Sequence, residues 1–449
     1  MKLLVSATPA FGHILPLVPL MQAAVEAGHS VGLLSSAGFR SAITAELPPE
    51  VEFLDAGAMS GEFSEEAARR TGADVFHPTP AVIGGARVDL SLSESIDKAA
   101  DWHADMVIAE PFDAIGPTVA ARLGISWHRA GIGPALPAVI SDEIDRAASA
   151  RRDCPAPAAS YLDPCPPQLQ DPDWAPGSLV RPVRPQAHRR AKDVALELSE
   201  FDPPGRPTVL VTFGTIFSDP DVLSTAVAAV ADGGANVLPT LGSSLRRPTA
   251  SQEIRADPRV QYVPFVPLGQ LLDRAALVVG AGGVGTILGT LAHGLSMVLW
   301  PQGADQPINA ARAAASRTSI TVDSAAGIRA AVAEALENSA YRRKARKVAA
   351  EIADRPDPCT VIAAMPSRSK GFPADGDLPG GRADERVPAN APTFSAIGQP
   401  PPTPPVSGKP GDQLLLGESG GLESVPGHRR GVVVPDRAAA RIRPGGSRP

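Results

Sequence analysis

Gly280, Gly282, Gly283 and Gly285 follow the apolar run Leu277–Val279, and Thr286 opens a helix-forming stretch directly after them. Glycine at this density lets a backbone turn sharply and approach a ligand with no side chain in the way. A helix that starts there offers unpaired amides and the positive end of its dipole, which favour an anion such as a diphosphate. Ser296–Trp300 reads as the next strand, stopped by Pro301. Asp305, Gln306 and Asn309 then cluster at the start of a further helix, where their side chains suit hydroxyl groups. A diphosphate cradle followed one βαβ unit later by a hydroxyl reader fits a sugar nucleotide.

The same glycines satisfy the dinucleotide pattern G-x-G-x-x-G, with Asp305 about twenty residues on. Context argues against that reading. The pattern belongs in the first βαβ unit of its domain, whereas several strand-like runs precede it here from Val209 onward. The acidic residue belongs at the end of the second strand, which here closes on Trp300-Pro301. A nicotinamide-dependent dehydrogenase and a purely structural glycine turn remain the competing readings of this stretch.

A second group of chemically capable residues lies near the N-terminus. Lys2–Thr8 reads as a strand that ends in Pro9-Ala10-Phe11-Gly12-His13, Leu15–Ala27 as an apolar helix closed by Gly28, and Ser30–Ser35 as the next strand. This alternation predicts a parallel, doubly wound sheet, and ligands of such sheets sit at the carboxyl ends of the strands. His13 is at such an end and titrates in the range a base needs. Met106–Ala109 is another strand with Glu110 directly after it, so its carboxylate is placed to reach His13 and orient the imidazole. A helix-capping or solvated carboxylate is the plainer role for Glu110. Between about Gly57 and Ala100 helical patterns form an insertion that shapes a cleft, with Phe11, Phe76 and Trp102 either lining it or serving as core.

Proline density from Pro155 to Pro207 predicts an extended connector outside any core. A second α/β series follows, with strands expected at Thr208–Phe213, Ala235–Thr240, Val260–Val263, Leu277–Val279, Met297–Trp300 and Ile320–Val322. Beyond Pro366 the chain is rich in proline and glycine without periodicity, a composition that cannot offset its ordering entropy. The expected layout is therefore an N-terminal domain over 1–185, a linker over 186–207, a C-terminal domain over 208–366 and a disordered tail over 367–449. In 449 residues, 43% hydrophobic residues supply two large cores, while a net charge of −6 and a pI near 5.8 leave no basic footprint for nucleic acid. Cys154, Cys165 and Cys359 show neither metal spacing nor a disulfide framework. The N-terminus lacks a signal-peptide pattern and no apolar run reaches spanning length, so a cytoplasmic protein without stable membrane insertion is expected.

Phe11-Gly12-His13-Ile14-Leu15-Pro16, Phe213-Gly214-Thr215, Val263–Leu268 and the Gly282–Gln306 block together resemble a GT-B glycosyltransferase. More narrowly, they are similar to the actinobacterial natural-product enzymes of glycosyltransferase family 1, over roughly residues 1 to 365. The Pro301–Gln306 run with Asn309 is the most specific piece. The resemblance implies two Rossmann-like domains facing a central cleft. It makes His13 the base that deprotonates the acceptor hydroxyl and Glu110 the carboxylate that steadies its imidazolium. Thr215, Gly282, Gly283, Gly285 and Thr286 would bind the diphosphate, Val266 would meet the nucleotide base through its backbone, and Asp305, Gln306 and Asn309 would hold the sugar. No cofactor or metal is implied beyond the nucleotide-activated sugar. The expected acceptor is a hydrophobic small molecule such as a polyketide aglycone, the expected donor a UDP- or dTDP-sugar such as a dTDP-deoxysugar, and a homodimer is compatible with this reading.

Two positions depart from the family pattern. Ala281 stands where a phosphate-contacting histidine is usual, and Leu268 where a glutamine is usual in the base-binding segment. His293 cannot replace the missing histidine, because it lies at the far end of the helix that follows the glycines. A catalytically impaired partner protein and a sugar-nucleotide epimerase or hydrolase of the same fold are the alternatives.

Overall fold

The computed structural model describes residues 1–72, 80–150, 156–190, 196–201, 205–215, 220–242 and 257–365. Phe76, Cys154 and the tail from 367 onward lie outside the described residues.

Two parallel sheets organise the chain. The first has seven strands: β1 (Lys2–Ser6), β2 (Ser30–Ser35), β3 (Glu52–Asp55), β4 (Met106–Ala109), β5 (Ser126–Ala130), β6 (Ser160–Asp163) and β7 (Leu179–Pro182), in the order β3-β2-β1-β4-β5-β6-β7. The second has five: β8 (Thr208–Thr212), β9 (Asn236–Pro239), β10 (Leu277–Gly280), β11 (Ser296–Leu299) and β12 (Ser319–Thr321), in the order β12-β11-β10-β8-β9. The central strands are short apolar runs buried throughout, as sheets covered by helices on both faces require.

Each order reverses once, between β1 and β4 in the first sheet and between β8 and β10 in the second. Crevices open at such reversals. Ser6 pairs with Ala109 and Thr212 with Gly280, so the loops carrying His13 and Glu110 leave adjacent strand ends, as do those carrying Thr215 and the glycines.

Three expectations need correction. The Pro155–Pro207 connector supplies β6 and β7, and Leu162 packs in the same core as Leu3 and Val5. Its prolines are compatible with strands because they sit at strand ends: Pro164 follows β6, and Pro182 closes the edge strand β7, which needs donors on one side only. Val260–Val263 makes only isolated bridges, Val260 to Val237 and Val263 to Thr240, because Pro258 and Pro264 flank the run. The helix after the glycines begins at Val284 rather than Thr286, with Gly283 as its N-cap.

Phe11 and Trp102 are core residues. Phe11 packs its ring 5.1 Å from those of Phe39 and Phe265, and Trp102 donates its Nε1–H to Glu52. The helix Pro358–Ala363 returns to the first sheet, where Val361, Ile362 and Met365 join the cluster around Leu3. Among the described residues no helix is long and apolar enough to cross a membrane.

Candidate active site

His13 lies in a four-residue helix, Phe11–Ile14, entered through Pro9-Ala10 directly after β1. Its Nδ1 is 3.1 Å from Oε1 of Glu110, a close ion-pair contact that falls short of hydrogen-bond geometry. Phe112 stands edge-on to the imidazole, 5.2 Å between ring centres. With Nδ1 buried against the carboxylate, Nε2 is the ring nitrogen turned away from Glu110.

Glu110 is 1% exposed and held as an anion. Its Oε1 accepts from the Thr8 amide at 3.2 Å and the Thr8 hydroxyl at 2.7 Å, and its Oε2 accepts from the Phe112 amide at 2.7 Å. Burial opposes ionisation, but His13 and these donors outweigh it and lower the carboxyl below its ordinary value. For His13, burial likewise opposes the charged form, yet the Glu110 carboxylate overcomes it and raises the imidazole above its ordinary 6.5. Arg87 works against that rise, and Asp305, from the second sheet's side, adds to it.

Thr8, Arg87, Phe112 and Asp113 went unrecognised in the sequence as parts of this site. Arg87 Nη1 meets Asp113 Oδ1 at 2.6 Å in the interior. Asp113 also accepts from the amides of Ile115 and Gly116, so it caps the helix Ile115–Leu123 and fixes the loop that carries Glu110 and Phe112. Asp113 was legible as a capping residue three positions after Glu110. Nothing in the chain order announces Arg87, which comes from the helix Arg87–Asp101.

The second half of the site is built on β8, β10 and β11. Gly214 (φ 78°) turns the chain after β8 and presents Thr215. Gly282 has φ 92°, the left-handed region where a side chain is strained, and a Cβ there would sit 3.2 Å from the Gln306 carbonyl oxygen. The first intrahelical bond of Val284–Ala292 runs from the Ile287 amide to the Gly283 carbonyl, so the amides of Val284, Gly285 and Thr286 have no intrahelical partner. Val266 is half-buried, on the segment that leads into Leu268–Leu272.

Asp305 is the N-cap residue of the helix Gln306–Ala315 and is exposed. Asn309 and Gln306 are buried and turned to the loop itself. Asn309 donates to Asp305 Oδ2 at 2.7 Å and to the Gly282 carbonyl at 3.3 Å, tying the Asp305 carboxylate to the glycine turn. Gln306 Oε1 accepts from the amides of Gln302 and Gly303. Ala281 is buried in the apolar cluster with Val209, Val211 and Phe213, so its methyl group faces the core. His293 ends the helix and bonds the Gly289 carbonyl, away from the glycines. Among the described residues no group of three or more His, Cys, Asp or Glu side chains is placed to hold a metal ion.

Comparison with known proteins gives this arrangement a family. Residues 22–187 match the model described as erythromycin biosynthesis protein CIII-like, N-terminal domain, and residues 247–366 match its C-terminal counterpart. L-demethylnoviosyl transferase of Streptomyces niveus is 27% identical over 83% of this chain and 99% of its own length. Elloramycin glycosyltransferase ElmGT of Streptomyces olivaceus is 29% identical over 81% and 97%. The crystal structure of SsfS6, a glycosyltransferase of Streptomyces sp. SF2575, superposes with a TM-score of 0.64 at 25% identity, covering 81% of this chain and 99% of that one. The two matched models span more than half of the sequence, and the chain belongs to the erythromycin biosynthesis protein CIII-like glycosyltransferases of GT-B fold.

Proposed function

We propose that the protein is an inverting transferase that moves a sugar from a nucleoside diphosphate to a hydroxyl of a hydrophobic small molecule. The observation that carries this reading is the buried His13–Glu110 pair at the end of β1 and β4, with Asp305 of the second sheet close enough to act on His13 electrostatically. Nε2 of His13 takes the proton as the acceptor oxygen forms its bond to the anomeric carbon, and Glu110 stabilises the resulting imidazolium. The bond from that carbon to the diphosphate breaks on the opposite face, which inverts the centre. The departing diphosphate gains charge, and the amides of Val284, Gly285 and Thr286 at the helix N-terminus are placed to meet it, so this reading assigns no role to a metal.

Thr215 and the Gly282–Gly285 turn would hold the phosphates, Val266 the base, and Asp305 the sugar hydroxyls, with Asn309 and Gln306 shaping their loop. A dTDP-sugar is favoured because SsfS6 has been crystallised with thymidine diphosphate. A polyketide-like aglycone is favoured by the relatives' names. Residues 1–185 would form the acceptor-binding domain and 208–366 the donor-binding domain, joined by 186–207, in a cytoplasmic enzyme.

Calorimetric titration of the full chain with dTDP, UDP and NADH tests the donor site. Binding of one nucleoside diphosphate and not NADH is expected. Binding of NADH alone overturns the reading, and binding of nothing favours an impaired partner, with Ala281 in place of a phosphate-contacting histidine as the reason.

A further inference from the structure

Gly131-Ile132-Gly133-Pro134 leaves the carboxyl end of β5 and touches the head of the helix Val284–Ala292. A Cβ on Gly133 would lie 2.0 Å from Cγ2 of Val284, 2.9 Å from its Cβ and 3.0 Å from its Cγ1. Gly133 is absent from the residues with positive φ, so its backbone does not demand glycine. The demand is steric and comes from a residue about 150 positions away in sequence, on the other sheet. Valine cannot give way, since its Cβ is fixed by the helix and its χ1 is stiff.

The loop is equally unable to retreat. A Cβ on Gly131 would meet the Tyr161 hydroxyl at 2.8 Å and Pro164 at 2.9 Å. The Ala135 amide donates to Gln170 Oε1 at 2.7 Å, Gln170 donates to Asp163 at 3.2 Å, and Asp163 pairs with Arg355 at 3.0 Å. Both sides of the contact are therefore braced. Val284 follows the N-cap Gly283, so the contact sits directly beside the amides assigned to the diphosphate.

We infer that Gly133 is a positioning residue: the lack of a side chain lets the loop after β5 seat on Val284, and that seat sets how closely the acceptor side approaches the diphosphate turn. The inference rests on the reading of Gly282–Thr286 as the donor site. A side chain at 133 holds the cleft open and readmits water around the diphosphate, which weakens every charge interaction there.

The test uses Gly133→Ala, the larger Gly133→Val, and each combined with Val284→Gly, which removes the opposing side chain. Solution scattering of the ligand-free proteins reads the seat, and calorimetric titration with dTDP and UDP reads its consequence. Gly133→Val should enlarge the radius of gyration and weaken diphosphate binding by roughly tenfold, with Gly133→Ala smaller in the same direction. Adding Val284→Gly should reverse both changes. Unchanged scattering and affinity in Gly133→Val overturn the inference. So do losses that Val284→Gly fails to recover, and so does expansion without any change in affinity. A wild-type chain that binds neither diphosphate sinks the donor-site reading first, and the positioning role falls with it.

Discussion

Oε1 of Glu110 stands 3.1 Å from Nδ1 of His13 while accepting both the amide and the hydroxyl of Thr8. The carboxylate is thus held by the turn directly after β1, the same turn that leads to the histidine. A short-range pair of this kind stabilises a charge that appears on the imidazole only when it has taken a proton.

The pair sets a pH dependence. As the proposed base, His13 must be neutral to accept a proton, and Glu110 raises it above 6.5, so kcat/KM should climb as pH rises through a value above 6.5. In Glu110→Gln the carboxylate is gone while burial persists, and burial favours the neutral ring. The acid limb should move to lower pH and the plateau fall by on the order of 100-fold or more. A pH–rate profile with the limb unmoved would show that Glu110 does not act on His13.

Sequence order and local pattern were sufficient for the central strands, because β1, β4, β10 and β11 are continuous apolar runs between turn residues. They also singled out Glu110, which directly follows β4, and His13, which lies in the short helix after the turn that ends β1. They failed where an element owes its place to neighbours. β6 carries Tyr161-Leu162 between prolines, and β5 reads Ser-Trp-His-Arg-Ala, so neither shows an apolar run, yet both are buried by the strands beside them. Arg87 and Gly133 were invisible for the same reason, since their partners Asp113 and Val284 are distant in sequence. Asn309 was legible as a polar residue at a helix start, but its inward turn depends on the Gly282 carbonyl that only the fold brings near.

His128 on β5 offers a stability test that does not involve the active site. It is 1% exposed, bonds Ser160 Oγ at 2.7 Å, and burial followed by the charge of Arg181 lowers its pKa to about 4. Between pH 6.5 and 4 the unfolded chain binds this proton and the folded chain does not, so stability is lost as pH falls through that window, by up to about 3 kcal/mol. Denaturant unfolding of His128→Gln should show a flatter dependence over the same range. An unchanged slope would mean that the ring is not held neutral.

Asp305 and Asn309 should separate by ligand. Asp305→Ala is expected to weaken dTDP-glucose by roughly tenfold while leaving dTDP nearly unaffected, because only the sugar is lost as a partner. Asn309→Ala removes the link to the Gly282 carbonyl as well, so both ligands should bind less tightly. Equal losses for both ligands in Asp305→Ala would place that carboxylate on the phosphates instead.

The most direct measurement is sugar transfer by His13→Ala, with dTDP affinity determined on the same preparation. A base role for His13 requires transfer to fall by a factor of 100 or more, on the order expected for general-base removal, while dTDP binds as in the wild type. Turnover retained at the wild-type level would contradict it and move the proton acceptor elsewhere in the cleft.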